Sequence, residues 1–411
     1  MKTIYCIQTF NKSGHHDSYA DMYCNIFLDL GFRVILISNV ERNNISTSLD
    51  KYRNNNLFFY YFNYNRKKKN KIKKYFFCKY INKIYSFISS KFLSYNIILP
   101  PFKYFDSSFN WPSCYTIDNI FKYSGFYPDL IFFLYLDPYF KNYSKYLYDL
   151  KYLWTGLLFN SDIINNYFLR KSISSSLCAG CFFIDHRYIQ LFLNKFPKKH
   201  FYNLPDVPNT ELSKKTPDFC NEIKKLSNGR KIILLTGSLD ERKGIFTLLN
   251  IAINYPDSPF FFAFCGKLYW NSFKKATDND KNLLKKCIFS PPNNCYFYTD
   301  YIENESEMNH LFLTADIIFA VYENFNLSSG IVGKATIFNK PIIVQKGGLM
   351  EHFVLKGPSG EVVESGNIIE IINILYFIIN NNCVYNYNTY SNEITYDVLK
   401  EKINIYLNDL F

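Results

Sequence analysis

Short apolar runs alternate along the chain with segments that have the residue spacing of an α-helix. TIYCIQTF (3–10) is followed by a glycine-containing loop and a helical segment that ends at Gly31, and RVILIS (33–38) comes next. A strand, a helix and a second strand in this order form a βαβ unit, in which the strands are parallel and the crossover is right-handed. The chain is therefore expected to build a parallel sheet covered by helices.

The same alternation starts again after a polar, proline-rich stretch, NLPDVPNT (203–210). Further strands are predicted at the apolar runs 128–137, 177–185, 231–238, 259–266, 294–300, 316–322 and 340–345. A chain of 411 residues is too long for one ordinary core, so two domains of about 200 residues are expected. We predict an α/β protein with two doubly wound, Rossmann-like domains, residues 1–205 and 229–411, joined by a linker over 206–228.

Positive charge is concentrated in the first half of the chain. Residues 1–210 hold 27 lysines and arginines against 13 acidic residues, whereas the rest holds 20 against 22. Seven of the nine residues in 66–74 are basic, and the basic segment 66–88 continues with aromatic residues between lysines. It is either a solvated surface or a contact with an anionic membrane, where each cation contributes about 1 kcal/mol. Without a recognised nucleic-acid-binding motif, no nucleic acid partner is predicted.

The sequence predicts a cytoplasmic protein that associates peripherally with the inner face of the membrane. Its 11 cysteines form no disulfide framework, which indicates a reducing compartment. The first ten residues read as a strand and not as a signal peptide. The apolar stretch 368–379 is too short to span a bilayer and contains Glu370, so it is expected to be a buried helix.

Two cations lie at a helix entrance in GSLDERKG (237–244), which begins with Gly237 and Ser238. The segment follows a strand and precedes a helix, which places it at the carboxyl edge of the sheet, where ligands bind. Unpaired backbone N–H groups and the helix dipole favour an anion there, and Arg242 and Lys243 add two full charges. The segment is predicted to bind a diphosphate, with a simple surface turn as the alternative.

A second helix entrance has similar chemistry. ENFNLSSGIVGKA (323–335) also follows a predicted strand, and its small residues Ser328, Ser329 and Gly330 leave backbone N–H groups accessible. Such an entrance is another candidate anion site.

The order of these motifs resembles that of the retaining GT-B glycosyltransferases, in the family-4-like group also called glycosyl transferases group 1. That family has a G-x5-K-G donor loop, an E-x7-E segment running into G-x-P-V, a G-G-x-x-E turn and a G-x-L-V strand. The corresponding stretches here are GSLDERKG, the helix that runs into NKPII, GGLME and GEVV. The resemblance covers 231–380 well and 14–38 more thinly.

This resemblance implies the GT-B fold, with two domains facing each other across a cleft, and a retaining transfer from a nucleotide sugar to a glycan or lipid-linked acceptor in surface polysaccharide or glycoconjugate synthesis. Arg242 and Lys243 would stabilise the leaving diphosphate, with no metal or other cofactor. Gly14 would approach the donor from the first domain, and His15 or His16 would bond to phosphate or sugar hydroxyls.

The sequence departs from the family pattern in several places. With Lys340-Pro341 as the anchor, Asn326 and Lys334 stand where the two glutamates of E-x7-E usually stand. Lys334 would then lie near the phosphate or sugar, and Glu323 would approach the sugar or ribose from the strand end.

Two further carboxylates have a functional and a structural interpretation. Asp137 stands near the place of the family's usual histidine, where it would position the acceptor hydroxyl or act as a base; otherwise it caps the turn before Pro138. Glu351 follows the glycine pair, where it would accept hydrogen bonds from sugar or ribose hydroxyls; otherwise it only favours its helix N-terminus.

Two other functions stay open. A nucleotide-sugar epimerase of GT-B-like fold would need acid–base carboxylates and histidines near the sugar, of which the sequence shows few. A non-catalytic sugar-nucleotide-binding relative stays open because the two glutamates are missing. No metal site is predicted. CAGC (178–181) lacks a second cysteine pair at zinc spacing, so its thiols are expected to be buried. TDND (277–280) directly precedes a helix and is predicted to cap it.

Overall fold

The computed structural model contains two parallel β-sheets covered by helices. It describes residues 1–8, 15–38, 56–61, 114–137, 150–160, 167–381 and 385–411, together with Tyr139, Leu147 and Ile164. The predictions for Gly14 and for the basic segment 66–88 fall outside these residues, as do those for the side chains of His15 and His16.

The first sheet has seven described strands in the order β3-β2-β1-β4-β5-β6-β7, and all neighbouring strands are parallel. The strands are β1 Thr3–Gln8, β2 Arg33–Ser38, β3 Leu57–Tyr61, β4 Leu130–Phe133, β5 Trp154–Leu158, β6 Cys181–Phe183 and β7 Phe201–Asn203. The described helices of this part are α1 His15–Asp29, α2 Cys114–Ser124, α3 Tyr167–Ile173 and α4 Arg187–Lys195.

The second sheet has six described strands in the order β10-β9-β8-β11-β12-β13, again all parallel. The strands are β8 Lys231–Thr236, β9 Phe260–Cys265, β10 Cys295–Tyr298, β11 Ile317–Ala320, β12 Ile342–Gln345 and β13 Gly360–Val363. The helices are α5 Asp218–Ser227, α6 Ile245–Asn254, α7 Asp278–Phe289, α8 Glu305–Thr314, α9 Gly330–Ile337, α10 Leu349–Lys356, α11 Ile368–Asn380, α12 Asn388–Ser391 and α13 Tyr396–Leu410.

Both sheets lie between two layers of helices. Strand β9, with the sequence FFFAFC, is buried at every position, because its side chains face helices on both sides of the sheet. Its alternate residues Phe262 and Ala263 belong to different apolar clusters, one on each face. This is the doubly wound arrangement that the continuous apolar runs predict.

In each sheet the strand order reverses once, between β1 and β4 in the first and between β8 and β11 in the second. The loops on either side of such a reversal form the crevice in which doubly wound proteins bind ligands. GSLDERKG follows β8 and ENFNLSSG follows β11. The two predicted anion-binding segments therefore flank the reversal point of the second sheet.

The carboxyl edges of the two sheets face each other. Arg187, which follows β6, donates from Nη2 to the carbonyl oxygen of Asn326, which follows β11, at 2.9 Å. The rings of His186 and His352, from opposite domains, lie 4.6 Å apart between centroids. The predicted α/β class, with two Rossmann-like domains across a cleft, is confirmed.

Helix α13 crosses back to the first domain, although it ends the stretch 229–411 predicted for the second. Its buried residues Ile403 and Leu407 belong to the same apolar cluster as Ile4 of β1. The Tyr406 ring packs edge-on against Phe182, with centroids 4.6 Å apart. Helix α13 therefore completes the apolar core of the first domain. No helix within the described ranges combines the length and apolar character needed to cross a bilayer.

Candidate functional site

Two glycines bring the loops after β8 and β9 into close contact. Gly237 and Gly266 both have positive φ angles, of 95° and 137°. A Cβ atom on Gly266 would lie 1.9 Å from the carbonyl oxygen of Gly237, so any side chain there would clash with the backbone. The contact between these loops therefore depends on glycine.

The ammonium group of Lys243 lies next to Gly237. A 3-10 turn over Glu241–Lys243 directs this side chain back toward the end of β8, where Nζ donates to the carbonyl oxygen of Thr236 at 2.7 Å. A Cβ atom on Gly237 would lie 2.6 Å from Nζ. Lys243 is only 9% exposed, so the protein holds a cation in a fixed position at this loop. An ammonium group has three N–H donors, and the Thr236 carbonyl uses one.

Arg242 spans the loops after β8 and β11. Its guanidinium lies 4.4 Å from the ring centroid of Phe325 and 5.2 Å from that of Tyr322, within cation–π range. The carbonyl oxygen of Arg242 accepts a hydrogen bond from the backbone N–H of Glu323 at 2.7 Å. The side chain is 39% exposed and lies 3.6 Å from Asp240, so its charged end still reaches solvent.

Glu241, which the sequence analysis did not select, organises the same loop. Its carboxylate accepts hydrogen bonds from the backbone N–H groups of Lys274, Lys275 and Ala276, at 3.1, 2.9 and 2.5 Å. The loop 237–244 is thereby attached to the segment before α7. In the sequence, the only sign that Glu241 would organise this loop is that it stands beside two cations in GSLDERKG.

A pocket of about 170 Å³ opens beside these loops. Its lining residues come from the loops after β8, β9 and β10 and from the start of α8: Gly237, Ser238, Gly266, Lys267, Tyr269, Tyr301, Ile302, Glu303, Glu305 and Met308. Of the predicted site residues, Gly237 and Ser238 line the pocket. The others in this lining belong to the loops after β9 and β10 and to helix α8, in which the sequence analysis found no motif.

At the second predicted anion site, one of the predicted residues is bonded to a side chain of the linker. Helix α9 begins at Gly330 with Ser329 as its N-cap in extended backbone, and the Ser329 side chain makes no capping bond. The preceding Ser328 donates from Oγ to Oδ2 of Asp206 at 2.9 Å. The sequence analysis did not predict that Asp206, in the linker, would bind a residue next to the start of α9.

Lys334 and Glu305 form a buried ion pair behind the pocket. Nζ of Lys334 lies 2.7 Å from Oε1 of Glu305 and donates to Oδ1 of Asn309 at 2.6 Å. Burial lowers the pKa of Lys334, and the neighbouring Glu305 acts in the opposite direction. Glu305 lines the pocket, whereas Lys334 is not among the residues that line it.

Glu323 and Glu351 have local partners in the second domain. Oγ1 of Thr247 lies 3.5 Å from Oε1 of Glu323, and burial raises the pKa of Glu323 while the Thr247 hydrogen bond lowers it. Glu351 accepts a hydrogen bond from the backbone N–H of Gly347 at 2.6 Å, in the first turn of α10. The predicted contacts of both with sugar or ribose stay predictions.

Asp137 lies shortly after β4 in the first domain. Its two carboxylate oxygens accept hydrogen bonds from the backbone N–H groups of Phe159 and Asn160, at 3.0 and 2.7 Å. Asp137 thus connects the loops after β4 and β5 at the carboxyl edge. Helix α1 begins at His15, on the other side of the strand-order reversal. The first-domain candidates therefore also flank a reversal point.

No protein-family model matches the chain, and no curated protein matches it in sequence. Several solved structures are similar to it over nearly its whole length. HepE from Anabaena, in complex with UDP and glucose, is 12% identical with a TM-score of 0.63, over 99% of this chain and 100% of that chain. A glycosyltransferase from Rickettsia africae is 14% identical, with a TM-score of 0.60, over 100% and 98%. Sucrose-phosphate synthase from Thermosynechococcus elongatus is 10% identical, with a TM-score of 0.63, over 100% and 99%. Together with the two sheets, this likeness confirms the GT-B fold.

Proposed function

We propose that this protein is a glycosyltransferase that moves a sugar from a nucleotide-diphosphate donor to a glycan or lipid-linked acceptor. The observation that carries the proposal is the fixed ammonium group of Lys243 beside Gly237 at the edge of the pocket, with the exposed guanidinium of Arg242 next to it. HepE, which shares the fold, has been crystallised with UDP and glucose and with UDP-glucose.

The proposed chemistry depends on charge that develops when the glycosidic bond breaks. The electrons of that bond move to the diphosphate, so its negative charge increases in the transition state. Lys243 and Arg242 are proposed to stabilise this charge. The hydrogen bond from the Lys243 ammonium group to the Thr236 carbonyl oxygen supports this role, because it fixes the position of the cation. With two side-chain cations in this role, the transfer is proposed to be metal-independent.

The finer points of the proposal follow the family that the sequence resembles. The transfer is proposed to retain the anomeric configuration, with Glu323 and Glu351 contacting sugar or ribose hydroxyls and Asp137 directed toward the acceptor. The acceptor is proposed to belong to surface polysaccharide or glycoconjugate synthesis. A cytoplasmic location is proposed, with the basic segment 66–88 in contact with an anionic membrane.

Titration calorimetry with UDP, GDP and CMP, first without metal and then with magnesium, tests the donor site. We expect one nucleotide to bind without metal and Lys243→Met to weaken that binding at least about tenfold, because an ammonium–phosphate contact contributes about 1.5–3 kcal/mol. Lys199→Met is the matched control, since Nζ of Lys199 also donates to backbone carbonyls, those of Ser175 and Cys178, but in the first domain.

Binding that needs magnesium, or equal binding by the Lys243→Met variant, would contradict the proposed donor site. Products of the nucleotide sugar, analysed with and without acceptor, separate the possible activities. Transfer supports the proposal, interconversion without acceptor indicates an epimerase, and binding without turnover indicates a non-catalytic protein.

A further inference from the structure

Helices α1 and α9, on opposite sides of the cleft, are joined through two buried carboxylates. Near the start of α1, the hydroxyl of Tyr19 donates to Oδ1 of Asp206, and Oγ of Ser18 donates to Oε2 of Glu305 at 2.6 Å. Adjacent residues of one helix thus bind two carboxylates from different parts of the chain, one from the linker and one from α8.

The other oxygen of each carboxylate contacts a residue of 328–337, the stretch that contains α9 and is called the α9 segment below. Oδ2 of Asp206 accepts from Ser328 at 2.9 Å, and Oε1 of Glu305 lies 2.7 Å from Nζ of Lys334. Each carboxylate is therefore a bridge between the first domain and the second. We refer to Tyr19–Asp206–Ser328 and Ser18–Glu305–Lys334 as the two carboxylate bridges.

The bridges are buried and are supported by the linker. Asp206 and Glu305 are 8% and 9% exposed, so an oxygen that lost its partner would have little water to replace it. Asn209 donates from Nδ2 to Oγ of Ser18 at 3.3 Å, and Asn309 donates to the carbonyl oxygen of Asn209 at 3.1 Å. This low-dielectric setting makes the relative placement of α1 and α9 specific, because displacing either helix breaks charge-assisted hydrogen bonds.

We propose that Asp206 and Glu305 are positioning residues that hold the start of α1 in register with the start of α9 for the transfer reaction. This inference depends on the proposed function, since both helix starts follow the strands at the reversal points where donor and acceptor would meet. Glu305 also lines the pocket, so one bridge forms part of the donor-side wall. Nucleotide binding by the second domain is expected to survive loss of the bridges, whereas turnover is not.

The test uses the double variant Ser18→Ala with Tyr19→Phe. It removes the two hydroxyl groups at the α1 end, while each carboxylate keeps its partner in the α9 segment. The control is Tyr152→Phe, which removes a similar bond, Tyr152 to Asp118 at 2.6 Å, inside the first domain. Thermal unfolding verifies that the variants are folded, and the single variants Ser18→Ala and Tyr19→Phe, one for each bridge, replace the double variant if it does not fold.

Each variant is compared with the unmodified protein in three measurements: affinity for UDP, kcat for the nucleotide sugar that the unmodified protein turns over, and small-angle X-ray scattering. We expect the bridge variant to bind UDP within about twofold, to lose about tenfold in kcat and to scatter as a more open particle, because charged hydrogen bonds across the cleft are lost. The control is expected to match the unmodified protein in all three.

An unchanged kcat together with an unchanged scattering curve would overturn the proposal. So would a loss of kcat that is matched by an equal loss of UDP affinity with no change in scattering, since the residues would then act only within the donor site. If the unmodified protein transfers no sugar, the proposed function fails, and the scattering comparison alone decides whether the bridges hold the domains in register.

Discussion

The buried ammonium group of Lys243 illustrates which site residues are visible in a sequence. Lysine is rarely buried without a partner, and here the partner is the carbonyl oxygen of Thr236, only seven residues away. Because the carbonyl ends β8 and the cation lies in the loop that directly follows, the motif GSLDERKG predicts the position of the charge. The bridging residues Asp206 and Glu305 could not be found in this way, since Glu305 meets Ser18 across 287 residues of sequence.

Arg242 provides a test at the residue scale. Arg242→Ala is expected to lower kcat/KM for the nucleotide sugar by an amount equivalent to about 1.5–3 kcal/mol of transition-state free energy, because it removes the proposed charged contact to the diphosphate. The control is Arg230→Ala, which removes a guanidinium that similarly stacks on Phe261 and donates to the carbonyl oxygen of Asn293, outside the pocket lining. Steady-state kinetics in which both variants resemble the unmodified protein would remove Arg242 from the donor site.

Gly266 provides a second residue-scale test. Gly266→Ala is expected to disrupt the contact between the loops after β8 and β9, because the new Cβ would lie 1.9 Å from the Gly237 carbonyl oxygen. We expect weaker nucleotide binding and lower stability. Gly366→Ala has a positive φ but no atom within 4 Å, so it is expected to cost only the backbone strain of about 1–2 kcal/mol. Equal effects of the two changes on nucleotide affinity would contradict the role of the loop contact.

At the scale of elements, the sequence was sufficient to locate those strands and helix ends whose signals lie within one short segment. The strand predicted at 33–38 is β2, Arg33–Ser38, and the cap predicted at 277–280 is confirmed by a capping box between Thr277 and Asp280. Strands β3, β5 and β7 were not predicted. β7 has only three residues, and β5 contains Gly156, where a Cβ atom would lie 2.4 Å from the Phe133 carbonyl oxygen. Such strands are stabilised by pairing and packing with neighbouring strands that are distant in the sequence. A local sequence pattern therefore does not reveal them.

Helix α13 provides the test at this scale. Ile403 is fully buried in the core of the first domain, so Ile403→Ala is expected to lower the free energy of unfolding by about 2–5 kcal/mol. Ile405 lies on the same helix and is 50% exposed, so Ile405→Ala is expected to have a much smaller effect. Chemical denaturation of both variants makes the comparison, and equal losses would show that α13 does not complete the first core.

At the scale of the whole molecule, the uneven charge is the basis for the proposal that the basic segment contacts an anionic membrane. Replacing the basic residues of 66–74 by glutamine is expected to weaken binding to anionic vesicles by about 1 kcal/mol for each cation near the surface. Activity on a soluble acceptor is expected to remain. The control replaces exposed lysines of the second half, Lys214, Lys215, Lys224 and Lys225. Vesicle sedimentation in which the first set has no larger effect than the second would contradict the membrane role.

The return of α13 to the first domain also has a consequence for the order of events during synthesis. A ribosome makes the first sheet, then the whole second domain, and only afterwards the helix with Ile403 and Leu407 that closes the first core. At about 5–20 residues per second, the second half of the chain takes about 10–40 s to make. Throughout that time the first domain lacks helix α13, which covers part of its apolar core. The earlier domain in the chain is therefore the later one to be completed, and apolar residues such as Ile4 and Phe182 need protection from aggregation during that interval.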